Sequence, residues 1–124
     1  MTDIAVKPLS NACGAEITGV DLTKLISPEV AAEINRVWLE HCVIVVRGQE
    51  LAEMDHVNFA GAFGPVGYNL RPDTLRNDAM KERHPSVVFV SNIVENGEPI
   101  GTLPDGEMMF HTDTGYDQNP HKAT

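Results

Sequence analysis

Hydrophobic positions change their spacing several times along the chain, and each change marks an element. Residues 4–9 (IAVKPL) and 15–20 (AEITGV) alternate apolar with polar side chains and carry β-branched residues, which predicts two short strands, with Asn11 and Gly14 as turn material between them. Ser27-Pro28 then opens a helix: a hydroxyl able to cap free N–H groups, followed by proline where its missing donor costs nothing. Val30, Ile34, Val37, Trp38 and His41 fall on one helical stripe, and Glu29, Glu33, Asn35, Arg36 and Glu40 mostly fill the other side. Residues 43–47 (VIVVR) are too short and too β-branched for a helix and read as a strand buried on both faces. After a turn at Gly48, a second helix is predicted over 52–63, with Met54, Val57, Ala60 and Phe63 near one stripe and Gly64-Pro65 as its stop.

Beyond that point the periodicity fades. Residues 67–85 are rich in turn formers and long for a passive connection, the length of a lid or a disordered loop. Residues 87–90 read as another buried strand, Asn96-Gly97 as a tight turn, and 108–110 as a strand leading into His111. The order of elements predicts an α+β chain. Too few strands follow the long loop to close a sandwich or barrel, so the β core is expected to be incomplete, with an open edge.

Composition narrows the function classes. A chain of 124 residues, 42% hydrophobic and 22% charged, is the size and make-up of one globular domain rather than a disordered segment. A net charge of -9 without a Lys/Arg cluster speaks against nucleic-acid partners and leaves small molecules or other subunits. The start, MTDIAVKPLS, lacks the apolar region of a secretory signal, and the longest apolar run, residues 42–46, is far short of a membrane span. A cytoplasmic protein is expected. Cys13 and Cys42 lie outside any CxxC spacing and read as two buried thiols in a reducing compartment rather than a disulfide.

The chemistry is concentrated in His111-Thr112-Asp113. Residues two apart on a strand point to the same side, so the imidazole and the carboxylate would converge. That pair suits Fe(II), Mn(II) or Zn(II), and a second histidine would complete the two-His-one-carboxylate triad of non-haem iron oxygenases. The tripeptide by itself is a poor signal and reads sooner as an ordinary surface His–Asp pair, since a chain with five histidines can contain one by chance. The other polar candidates have ordinary readings. His41 closes the apolar stripe as a satisfied, partly buried residue. His56 is expected to face solvent, His84 to be exposed, and Arg47 to anchor a structural ion pair. The mixed charges of residues 73–82 read as a solvated face.

Four segments taken in order carry a resemblance: GAEITGVDLTK, LEHCVIVVRGQELAEMDHVNFAGAFGPVG, VSNIVENGEPIG and MMFHTDTGYDQNPHKAT. Together they resemble the N-terminal part of the Fe(II)/2-oxoglutarate-dependent dioxygenases of the taurine dioxygenase and chlorophenoxyacetate dioxygenase type. The resemblance implies a double-stranded β-helix (jelly-roll) core with flanking helices. It makes His111 and Asp113 the first two Fe(II) ligands and 2-oxoglutarate the cosubstrate. The implied reaction consumes dioxygen, releases succinate and CO2, and hydroxylates a small organic substrate, on family analogy an anionic sulfonate or carboxylate. The carboxylate of Asp113 favours hydroxylation over halogenation, because related halogenases give it up for a halide.

In that family the third ligand, the arginine that pairs with the cosubstrate and its supporting threonine all follow the first two ligands. Residues 1–124 therefore read as the N-terminal portion of a single such domain, with core strands and the distal ligand downstream. His121, just after Asn119-Pro120, could fold back as a substitute ligand, although an exposed loop histidine is the simpler reading. The stretch from Gly67 to Pro85 matches in position the segment that covers the substrate, which makes Tyr68 and Asn69 candidate substrate contacts. Asn92 is a third candidate, or else bonds its own backbone. No catalytic residue is assigned beyond the metal ligands. Two competitors remain: a remnant that works only with a complementary chain, and a hydrolytic zinc site independent of oxygen. Open strand edges also predict association into a homo-oligomer.

Overall fold

A computed structural model describes residues 4–68, 81–101, 106 and 109–122. Contacts divide the chain into two compact units, Met1–Val66 and Gly67–Thr124.

The first unit is built on a β-hairpin followed by a parallel crossover. Strand β1 (Ala5–Pro8) pairs antiparallel with β2 (Ala15–Thr18), placing Val6 opposite Ile17. Ser10 organises the turn between them: its Oγ accepts from the N–H of Ala12 and Cys13 and donates to the Cys13 carbonyl at 2.6 Å. Gly14 then takes a φ of +91°, a left-handed conformation that glycine adopts without steric cost. Helix α1 (Pro28–His41) carries the chain across to β3 (Ile44–Val45), which lies parallel to β2, so the sheet order is β1-β2-β3. The helix starts where the sequence predicts, with Ser27 Oγ accepting from the Val30 N–H at 3.3 Å.

Period two on β2 and period 3.6 on α1 meet in the core. Ala15 and Ile17 from the strand and Ile34 and Val37 from the helix are fully buried in one cluster. Ala31 and Leu22 are nearly so. Each buried Ile or Val contributes roughly 1.5–3 kcal/mol of transfer free energy. Trp38 lies at the margin of the stripe, half-buried, and meets Phe63 edge-on at 6.5 Å.

The RGQ segment that contributes to the resemblance has a structural role here. Arg47 Nε sits 3.4 Å from Glu16 Oε1, the expected ion pair, tying the end of β3 to β2. Gly48 turns the chain at a φ of +69°. Gln49 then staples two loops: its Oε1 accepts from the Leu22 N–H at 2.9 Å, and its Nε2 donates to the carbonyls of Val20 and Arg47 at 3.3 and 3.4 Å.

Several expectations for this unit are corrected. The 43–47 strand is not buried on both faces; only Ile44 and Val45 form a strand, both half-buried, and Val43 is exposed. Among the described residues β3 has β2 on one side only, so it is an edge rather than a central strand. Helix α2 (Glu53–Gly61) is shorter than predicted and opens with Asp55 Oδ2 accepting from the Ala52 N–H at 2.8 Å. Of the predicted stripe Phe63 packs on the core and Val57 is half-buried, but Met54 is exposed. Phe59, which that stripe omitted, packs there beside Phe63, which lies past the end of the helix, the two rings meeting edge-on at 5.1 Å. Cys13 and Cys42 are both exposed rather than buried.

The second unit contains a hairpin of β4 (Val94–Glu95) and β5 (Glu98–Pro99). Asn96 and Gly97 form its turn with φ of +52° and +84°, the pair of left-handed residues that a type I′ turn requires. Gly101 is buried, and a Cβ there would collide with the Ser91 backbone, so this close approach needs glycine. Residues 87–90 are not a strand, and Val88 and Val90 are exposed. His84 is half-buried rather than exposed, its Nδ1 accepting from the Ser86 N–H at 3.2 Å. Of residues 73–82 only Lys81 and Glu82 are described, and both are exposed.

No helix among the described residues is long and apolar enough to cross a membrane. The described strands make an α+β arrangement of one three-stranded sheet and one hairpin.

Candidate metal centre

His111 and Asp113 do converge, but not by way of a strand. Met109 to Thr112 have no regular structure, Met108 lies outside the described residues, and a turn begins at Asp113. What turns the chain is Thr114, at a φ of +50°, a left-handed backbone in a non-glycine residue. Its hydroxyl accepts from the His121 N–H at 2.8 Å, and the Asp117 N–H donates to the Thr114 carbonyl at 2.9 Å, so the loop after the pair is closed on Thr114. The result sets His111 Nε2 3.1 Å from Asp113 Oδ1, with both side chains about half exposed.

The second ring nitrogen decides what this pair can hold. His111 Nδ1 lies 2.9 Å from the Met109 carbonyl oxygen, which can only accept, so the Nδ1 proton is held there. In the neutral ring the Nε2 lone pair then faces a carboxylate oxygen, two acceptors pointed at each other. A cation between them removes the conflict. Without a metal that cation is a proton: the hydrogen bond to Met109, and after it the charge of Asp113, raise the His111 pKa above its ordinary value. With a metal the geometry also fits. First-row divalent ions hold imidazole nitrogen and carboxylate oxygen at roughly 2.0–2.2 Å, so two such donors at a right angle stand about 3.0 Å apart. A carbonyl acceptor on the far nitrogen is also the usual second partner of a metal-bound histidine. Nothing in the sequence marks the Met109 carbonyl for this role, since any residue supplies a carbonyl.

Two donors are not a full centre. Among the described residues no group of three His, Cys, Asp or Glu side chains stands close enough to hold a metal ion, so His121 does not complete the pair. His121 is exposed, and its ring lies over Gly67, where a Cβ would come within 3.0 Å of Nε2. Of the substrate candidates, Tyr68 is 68% exposed and Asn92 is exposed just before β4. Asn69 lies outside the described residues. Met109, Phe110 and Tyr116, which flank the pair in sequence, are strongly exposed apolar side chains.

The comparisons with known proteins give the class to which this α+β chain belongs. The profile of the taurine catabolism dioxygenase TauD, TfdA family matches residues 5–124, and the chain belongs to that family. Among curated proteins it is 32% identical over 108 residues to pentalenolactone F synthase of Streptomyces avermitilis, covering 86% of this chain and 34% of the relative. It is 24% identical over 128 residues to the alpha-ketoglutarate-dependent 2,4-dichlorophenoxyacetate dioxygenase of Cupriavidus pinatubonensis, covering 93% of this chain and 42% of that one. A solved structure from Burkholderia xenovorans, described as an alpha-ketoglutarate-dependent taurine dioxygenase, superposes with a TM-score of 0.53 at 40% identity, over 54% of this chain and 24% of the other. The chain thus spans less than half the length of these two curated relatives.

Proposed function

We propose that this chain supplies the first two metal ligands, His111 and Asp113, of a non-haem Fe(II)- and 2-oxoglutarate-dependent dioxygenase. The reaction hydroxylates a small organic substrate, an anionic sulfonate or carboxylate, with release of succinate and CO2. The observation that carries this reading is the 3.1 Å approach of His111 Nε2 to Asp113 Oδ1 with Nδ1 anchored on Met109. Membership of the family and its named relatives support the reaction type. In this reading residues 1–124 are the N-terminal portion of one domain whose remaining strands complete a double-stranded β-helix.

Bound iron supplies the activation of dioxygen at the cosubstrate's expense. The chain's own residues do the placing. Met109 fixes the imidazole tautomer so that Nε2 offers a lone pair, and the turn at Thr114 sets the Asp113 carboxylate beside it. Tyr68, Asn69 and Asn92 are proposed to contact the substrate and orient its C–H bond.

A second reading is favoured by the chain covering 34% and 42% of two curated relatives. In it the 124-residue chain is catalytically incompetent alone and acts only with a complementary chain. Anaerobic titration with Fe(II) and 2-oxoglutarate, following the visible charge-transfer band of the chelate, tests both. A band that forms at stoichiometric iron and disappears in His111→Ala and Asp113→Ala supports the oxygenase reading. A band that survives both substitutions refutes the ligand assignment. Weak iron binding without a band, for the chain alone, supports the second reading. Turnover of an ester without oxygen or 2-oxoglutarate would point instead to a hydrolytic zinc site.

A further inference from the structure

The two cysteines are far apart in sequence, yet the fold brings their backbones together at the start of the parallel β2–β3 ladder. The Gly14 N–H, next to Cys13, donates to the His41 carbonyl at 2.8 Å, and His41 precedes Cys42. The Ala15 N–H donates to the Val43 carbonyl at 2.9 Å, and the ladder then pairs Ala15 with Ile44. These two bonds bracket Cys42. Within a trans peptide, the Cα preceding an N–H and the Cα following a carbonyl both lie on the side of the hydrogen bond. Ordinary peptide dimensions therefore put the Cα atoms of Cys13 and Cys42 about 4–7 Å apart. That is the span a disulfide bridges.

Both cysteines are also held in place. Ser10 Oγ grips Cys13 through its N–H and its carbonyl. Cys42, at a φ of +64°, donates its N–H to the Trp38 carbonyl at 2.7 Å and accepts the indole N–H of Trp38 at 3.1 Å. Both are free and exposed, so an oxidant can reach either.

From this juxtaposition we propose that Cys13 and Cys42 are a reversible dithiol–disulfide pair that a peroxide oxidises, an inference independent of the metal centre. One thiolate attacks the peroxide O–O bond, becoming a sulfenic acid and releasing water. The second thiol attacks the sulfenic sulfur, forming the S–S bond and releasing a second water. Two thiols and one hydrogen peroxide thus give one disulfide and two waters, the sulfurs losing the two electrons that the peroxide gains. The link ties the start of β2 to the end of α1 and closes the loop that contains the helix, which restricts the unfolded chain.

The test is to treat the native protein with hydrogen peroxide, alkylate the remaining thiols, and map the linked peptides by mass spectrometry, with a parallel reaction in urea. The native fold is expected to form an intramolecular Cys13–Cys42 link at least about tenfold faster than the unfolded chain, because folding raises the effective concentration of the pair. Dithiothreitol should reverse it, and the oxidised protein should show a higher urea midpoint for the Trp38 fluorescence transition. Ser10→Ala, which loosens the Cys13 turn without removing either thiol, should slow the native reaction. Equal rates in native and unfolded chains would overturn the proposal, as would only intermolecular links or oxidation of each cysteine separately to the sulfinic acid.

Discussion

Gln49 is the residue whose removal tests the packing argument most directly. Its side chain reaches back across the chain to hold the 20–22 loop against the end of β3. In Gln49→Ala the Leu22 N–H loses its acceptor at a position where Leu22 is only 6% exposed. An unsatisfied buried donor costs about 1–3 kcal/mol. The two longer bonds from Nε2, at 3.3 and 3.4 Å, add roughly 0.5 kcal/mol each. Against this, the rotamer freedom that glutamine gives up on folding, about 1 kcal/mol for a half-buried side chain, is no longer lost. The net expectation is a destabilisation of about 2 kcal/mol, which lowers a urea midpoint by about 1 M at a slope typical of a small unit. Trp38, the chain's single tryptophan, sits on α1 in the same unit and reports the transition by fluorescence. Gln49→Glu sharpens the test. It keeps an acceptor for Leu22 but turns the donor into a second acceptor facing two carbonyls, so it should not restore the wild-type midpoint. The reasoning fails if Gln49→Ala lies within about 0.5 kcal/mol of wild type, or if the glutamate variant matches it.

Three further outcomes follow from the same structure. Asp113→Asn should lower the His111 pKa, because it removes a negative charge that holds the imidazolium while the Met109 hydrogen bond remains; imidazole nitrogen shifts followed by NMR across pH show it, and an unchanged titration would mean that the pair is not formed in solution. The Asp21 carboxyl, bonded by Lys24 and then by Thr23, is lowered to about 2 from an ordinary 3.8, so whatever its turn adds to stability is in place above about pH 4 and is lost only as pH falls through about 2; the Thr23 amide shift should titrate near 2, and a midpoint near 4 would refute it. Ile34→Ala, emptying a fully buried position between α1 and β2, should cost about 2–5 kcal/mol, whereas Leu39→Ala on the exposed face of the same helix should cost under about 1 kcal/mol, and equal effects in urea melts would invert the assigned core.

Much was determined by the sequence through rules that act within a few residues. The Ser27-Pro28 start, the Ile34–Val37 stripe and the Asn96-Gly97 turn are local choices of cap, period and φ, and each forms where those rules place it. The His-x-Asp doublet and its framing segments likewise identified the family from order alone. The tertiary structure decided what depends on partners distant in the chain. Residues 43–47 are apolar enough for a central strand, yet β3 is a short edge because only β2 lies beside it among the described residues. On the predicted α2 stripe Phe63 does reach the core and meets Trp38, but Met54 is exposed and Phe59, off that stripe, packs there against Phe63. Gln49 finds its partners 27 and 29 residues away, a pairing that no periodicity encodes. His111 and Asp113 meet through the left-handed turn at Thr114 and the Met109 carbonyl rather than along a strand, because backbone groups carry no residue code and choose their partners only once the chain has folded.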